Sequence, residues 1–266
     1  MELIGYSLAL VVGLSLGLIG GGGSILAVPI LAYLFAYDEK VATAYSLFIV
    51  GSAALVGGLR QSRIGNVDWK TATVFGIPAI AGVWIIRSFL IPVLPNVLFT
   101  FESFEFTRRM AMFGLFSILM ILAAYTMLSD KKRKGGTGEI KYNYPLIVLE
   151  GLIVGGITGM VGAGGGFLII PALVVLANLE IKKAVGTSLV IIALKSLMGF
   201  FLGDAITMNI DWNFLLLFTS FTVVGIFIGI QLGKYIDGQR LKKGFGYFIM
   251  VMAIFIFIME FLIESN

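Results

Sequence analysis

Apolar and polar positions alternate along this chain on the scale of whole helices. Apolar runs of about 17 residues or more, the length that begins to cross a lipid hydrocarbon core, cover 3–19, 41–59, 69–91, 110–128, 145–161, 184–202, 211–232 and 245–263. These eight predict spanning helices. Two shorter runs, 25–36 and 167–178, each follow a cluster of glycines. At 1.5 Å rise per residue, a helix of that length reaches ~18 Å, short of a ~30 Å core.

The two glycine clusters are copies of one another. Gly17 to Leu31 reads GLIGGGGSILAVPIL, and Gly159 to Leu173 reads GMVGAGGGFLIIPAL, displaced by 142 positions. Identity falls at Gly17, Gly20, Gly22, Gly23, Leu26, Pro29 and Leu31 and their counterparts. Farther on, the Asn-Val-Asp-Trp ending at Trp69 answers the Asn-Ile-Asp-Trp ending at Trp212, and Gly82 answers Gly225, now displaced by 143. The chain is therefore two homologous membrane repeats, 1–129 and 142–266, joined by a basic linker, 130–141.

Composition agrees with the pattern. Hydrophobic residues make up 59% of the 266 and charged residues 13%, against about 25% charged in a soluble domain. Mean hydropathy is +1.02. The fold class expected is an all-α polytopic membrane protein. Met1-Glu2-Leu3 lacks the basic start of a signal peptide, so the first apolar run is expected to be retained. Cysteine and histidine are absent. That removes disulfides, zinc and haem sites, thiol catalysis and histidine proton relays, and no metal or cofactor is expected. Two further readings, a membrane enzyme and a nucleic-acid binder, lack respectively a catalytic constellation and a basic stripe on a soluble face.

Lys and Arg accumulate in cytoplasmic loops. If each glycine motif is the tip of a hairpin returning to its own side, each half has five segments and the halves are inverted. The stretches 60–70, 129–144, 178–183 and 233–244 then lie inside the cell and hold fourteen of the nineteen Lys and Arg. Lys40, Arg87, Arg108 and Arg109 lie outside, and Lys195 lies within a span. Counting four segments per half instead puts the basic 233–244 loop outside. Inverted repeats in a cell membrane, both termini external, are the expectation. Its weak point is the external 87–110 stretch, with three arginines against two glutamates.

Backbone broken inside a bilayer must be buried in protein or line a wet cavity. Four glycines followed by Pro29, and the copy followed by Pro171, break the helix. Glycine lets backbone approach a ligand closely, and free amides at a helix start attract anions. Inverted tips would meet near the midplane, where discontinuous helices form the site in many transporters. The candidate substrate-binding residues are Gly20, Gly21, Gly22, Gly23, Ser24, Gly162, Ala163, Gly164, Gly165 and Gly166. Ser24 is also expected to cap the short helix after it. Tight helix packing is the competing reading of the glycines. Lys195, the only basic residue deep inside a span, either binds the anion or pairs with Glu150, itself a candidate for proton coupling. A charge buried in the membrane calls for a partner or a wet cavity. Ser46, Thr187 and Ser188 offer hydroxyls to an oxyanion or bond neighbouring carbonyls. Stripes at Gly225, Gly229 and Gly233 and at Gly13 and Gly17 mark close helix contacts, and leave open whether copies of the chain associate.

Duplicated Gly-Gly-Gly…Pro-x-Leu motifs, Gly20 to Ser24 with Pro29 and Gly162 to Gly166 with Pro171, in two membrane halves with a basic linker, resemble the TauE/SafE sulfite exporter family. The resemblance covers essentially the whole chain. It implies transport of sulfite, sulfonates or related sulfur anions, with the glycine-rich segments flanking the path. The expected function is a secondary transporter of small anions working by alternating access; an uncoupled channel on the same fold is the alternative.

Overall fold

A computed structural model describes residues 2–21, 23–101, 104–129, 144–162, 164–175 and 179–263. Gly22, Ala163 and the linker 130–141 lie outside the described residues.

The first half runs α1 (Glu2–Ile19), α2 (Ser24–Pro29), α3 (Glu39–Arg63), α4 (Trp69–Ile85), α5 (Ile91–Val93), a β1 (Val97–Phe101) and β2 (Phe104–Thr107) hairpin, and α6 (Arg108–Leu128). The second runs α7 (Tyr144–Val161), α8 (Gly166–Val175), α9 (Ile181–Gly199), α10 (Trp212–Gly233) and α11 (Gly238–Ile258). Wider π-turns extend α2 through Ile30–Leu34, join α4 to α5 through Ile86–Leu90, and prolong α9 and α11 through Phe200–Asp204 and Met259–Ile263.

Six of these helices, among the described residues, are long and apolar enough to cross a membrane, against the eight expected. The first helix of each half falls short. The apolar parts Ile4–Ile19 and Pro145–Val161 stop at the glycine clusters, and 18 residues of helix reach only about 27 Å. The all-helical expectation also needs one correction. Within 87–110, β1 and β2 pair antiparallel, and Phe99 stacks on Phe106 with ring centres 4.7 Å apart. Phe99 and Phe101, then Phe104 and Phe106, recur at the strand period of two, a signal too short to stand out beside long apolar runs.

Apolar side chains face outward all round: Leu122 is 57% exposed and Val251 65%. That is a surface for lipid, and this is a multi-pass membrane protein. Polar residues lie within: Ser46, Thr158, Thr187, Ser188, Lys195 and Ser196 are all buried. The most enclosed helices, α3 and α9, pack on each other at the centre.

The halves interlock reciprocally. Helix α1 packs on α10 and α7 on α4; α3 also meets α10 and α9 also meets α4. Glycine permits these contacts by letting backbones touch. A Cβ on Gly225 would strike the Leu10 carbonyl oxygen, the Leu14 nitrogen and Gly13. One on Gly82 would strike the Leu152 oxygen, the Gly156 nitrogen and Gly155, the same three positions displaced by 142. The glycine stripes thus serve packing within the chain.

Helix starts are matched likewise. The Asp68 carboxylate accepts from the Thr71 N–H at 2.7 Å and that of Asp211 from the Phe214 N–H at 3.1 Å. Each aspartate's own N–H is held by the opposite half. Asp68 donates to Thr187 Oγ1 at 2.9 Å, and Asp211 to Tyr45 Oη at 2.7 Å. Tyr45 and Thr187 are themselves 142 positions apart.

Candidate functional site

The two glycine turns meet. Gly21 and Gly166 are in backbone contact, so a Cβ on either would overlap the other. Gly164 lies between the central helices. A Cβ there would come 2.7 Å from Val50 Cγ1, 3.3 Å from Ser24 Cβ and 3.5 Å from Ile192 Cγ2. Left-handed backbone is the reason for glycine here: φ is +74° at Gly20, +71° at Gly162, +62° at Gly164 and +67° at Gly165. A side chain at such angles costs roughly 1–2 kcal/mol.

Protein encloses the short helices, as broken backbone in lipid requires. Ser24, Ile25, Ala27, Val28 and Pro29 of α2 are buried. The cap differs from expectation. Gly23 occupies the capping position and makes no side-chain bond. Ser24 is the first helical residue, and its hydroxyl donates to the Gly21 carbonyl at 2.6 Å, closing the turn on itself. Pro29 and Pro171 are each the sixth residue of their helix, just past the first turn. A π-turn follows Pro29 directly.

Lys195 is 1% exposed. Its ammonium donates to Thr158 Oγ1 on α7 and lies 2.8 Å from the place a Cβ on Gly165 would take. No carboxylate stands within 4.0 Å of it among the described residues, and Glu150 is not its partner. Glu150 is half-buried, and its Oε2 has no hydrogen-bond partner among the described residues. The buried lysine therefore has a hydroxyl and a glycine turn beside it, and no counter-charge among the described residues.

The hydroxyl candidates divide. Ser188 donates to the Val185 carbonyl at 2.8 Å and lies against Gly20. The Thr187 hydroxyl oxygen accepts from the Asp68 N–H. Ser46, buried, has no partner among the described residues, and the same is true of Ser196 Oγ beside Lys195.

A cavity of about 140 Å³ opens beside the first turn, at the end of the bundle that carries Gln61, Lys182 and Lys234. Gly17, Leu18, Val185 and Ile230 form its apolar wall. The opposite end carries three ion pairs, two of them buried. Arg87 Nη1 meets Asp204 Oδ1 at 3.0 Å, Arg108 grips Glu39, and Arg109 Nε meets Glu260 Oε1 at 3.2 Å. Each of the three arginines in the 87–110 stretch is thus balanced by an acid distant in sequence. Reading the sequence left Arg87 in an external stretch and Lys195 alone inside a span. Arg87 lies within the Trp69–Val93 span and is 1% exposed. The signal available was its overlap with the end of an apolar run; nothing local named Asp204 as its partner.

Comparison with known proteins matches residues 6–256 to "Sulfite exporter TauE/SafE". A "probable membrane transporter protein" of Xylella fastidiosa is 26% identical over 257 residues, covering 92% of this chain and 90% of its own. "Probable membrane transporter protein YunE" of Bacillus subtilis is 30% identical over 270 residues, covering 93% and 91%. A relative with the same description from Methanocaldococcus jannaschii is 30% identical over 201 residues, covering 72% and 70%. No solved structure matches the chain significantly. With its two glycine turns in contact and a match along nearly its full length, the chain belongs to the sulfite exporter TauE/SafE family.

Proposed function

We propose that this protein is a secondary transporter of small anions, sulfur oxyanions or sulfonates of the sulfite type, in the cell membrane. The observation that carries the reading is Lys195, buried beside Thr158 and the Gly165 turn with no carboxylate among the described residues to neutralise it. An uncompensated buried ammonium is costly. An anion arriving between the glycine turns supplies the missing charge. Candidate contacts are Gly20 to Ser24 and Gly162 to Gly166, with Lys195, Thr158, Ser46 and Ser196; Gly22 and Ala163 belong to this set by sequence. Thr187 and Ser188 are secondary, because their hydroxyls already serve backbone groups.

The halves are read as inverted repeats that rock against one another. The reciprocal contacts of α1 with α10 and α7 with α4 support this. In this reading the cavity at Lys182 and Lys234 faces the cytoplasm, both termini are external, and the Arg87–Asp204 end is the closed external side. An opening at one end, set against ion pairs clustered at the other, supports alternating access over an uncoupled channel.

The test is counterflow in proteoliposomes loaded with sulfite, thiosulfate, sulfate or a sulfonate. Exchange of a labelled sulfur anion against its own gradient is expected. Passive flux that never exceeds the gradient would establish the channel instead. Absence of flux for the whole panel would remove the anion reading. The chain contains no cysteine, so single cysteines at Ser129 and Thr207 report orientation without background. They should label from the cytoplasmic and external sides respectively.

A further inference from the structure

The open cavity and the Arg87 pocket are the same place in the two halves. The cavity is lined by Gly17, Gln61, Val185 and Ile230. Their counterparts across the repeat are Gly159, Gly203, Thr43 and, at the displacement of 143, Arg87. Arg87 touches Gly159 and Gly203, and shares with Thr43 the space beside Gly162. Its Nε donates to the Gly159 carbonyl at 2.6 Å. A Cβ on Gly203 would stand 2.7 Å from Arg87 Cβ, and one on Gly162 would meet both Thr43 and the Arg87 guanidinium. What is an opening at one end is filled at the other by a guanidinium.

That guanidinium is incompletely used. Only one of its terminal nitrogens meets Asp204, and through only one carboxylate oxygen. Arg87 Nη2 and Asp204 Oδ2 are both buried without a partner among the described residues. A buried arginine–carboxylate pair built for stability commonly makes two parallel bonds, and each buried polar atom left unpaired costs free energy. The unpaired Nη2 is directed at the second glycine turn, 2.7 Å from where a Cβ on Gly162 would lie. Here glycine leaves room for a charged donor at the mouth of the turn.

We infer that Arg87 is an anion-binding residue of the transport path, held by Asp204 while its end of the protein is closed and released to the substrate when that end opens. The inference rests on the anion-transport reading and adds to it a binding residue that the repeat does not duplicate. The planar fork of a guanidinium suits two oxygens of a tetrahedral or pyramidal oxyanion such as a sulfonate or sulfite. Asp204 is then a resident competitor. Its carboxylate occupies the fork until an anion displaces it, and the mirrored vestibule opens around the freed arginine.

The experiment compares the two halves of the ion pair. Sulfite affinity and thermal stability are measured on the purified protein carrying Arg87→Gln, Arg87→Lys, Asp204→Asn or Arg87→Gln with Asp204→Asn. Losing a charge-assisted contact predicts sulfite Kd weaker by about tenfold or more in Arg87→Gln and in the double variant. An intermediate loss is expected in Arg87→Lys. Asp204→Asn removes the competitor and should leave Kd unchanged or tighter. A purely structural pair predicts similar stability losses from both single substitutions, with Kd unchanged in each; that result overturns the inference. If Arg87→Gln does not fold, Arg87→Lys and the double variant carry the same comparison. Sulfite bound by the native chain and equally by the Arg87 variants overturns only the role of Arg87. A native chain that neither binds nor moves any anion of the panel overturns the transport reading together with it.

Discussion

Gly21 and Gly166, 145 positions apart in the chain, lie backbone to backbone. Neither has room for a methyl group. They come from different halves and join the two broken helices at one point. The first candidate feature read from the sequence, the duplicated glycines, is thus a single contact in space.

Gly164 tests whether that junction is a path. Its φ of +62° disfavours any side chain, and a Cβ would press on Val50 at 2.7 Å. Gly164→Val adds backbone strain of roughly 1–2 kcal/mol to overpacking of about 1–3 kcal/mol. The expected outcome is normal membrane insertion with sulfite flux abolished. Native flux in this variant, read beside its abundance in the membrane fraction, would count against the site.

Lys195 separates function from stability by sign. Replacing a buried charge that has no counter-charge among the described residues by an apolar residue of similar length removes a desolvation cost. Lys195→Met is therefore expected to keep or raise Tm while weakening anion affinity by about tenfold or more. Loss of stability with affinity intact would mean that the lysine serves packing. Thr158→Val, which removes its hydroxyl partner, should weaken affinity in the same direction.

Tyr45 and Thr187 are predicted to be structural equivalents. Each supplies the oxygen that receives the N–H of the other half's capping aspartate. Tyr45→Phe and Thr187→Val should each cost about 1 kcal/mol, the scale of one hydrogen bond, and leave Kd for sulfite unchanged. A Kd effect confined to Thr187→Val would return that residue to the anion site. Thermal unfolding and binding measured on the same samples decide it.

Much of this was legible in the order of residues. The helical runs follow from hydropathy, because lipid rewards long apolar segments with every backbone group satisfied internally. The repeat shows as identity at fixed displacement. The caps at Asp68 and Asp211 are local, an acid just ahead of an apolar run. The same reasoning misjudged Ser24, because a hydroxyl beside several glycines has more than one backbone group within reach. It also counted α1 and α7 as full spans, since hydropathy does not register where a turn of glycines ends a helix.

Sequence alone determined the membrane class, the duplicated glycine motif with the breaks it imposes, and the absence of cysteine and histidine. These depend on composition and on neighbours within a few turns of chain. Tertiary structure alone decided that Gly21 meets Gly166, that Lys195 bonds Thr158 in place of Glu150, and that Arg87 is buried against Asp204. Each of these joins residues tens of positions apart or more. Such contacts depend on how the interlocked halves bring helix faces together, and no local pattern of residues encodes that distance.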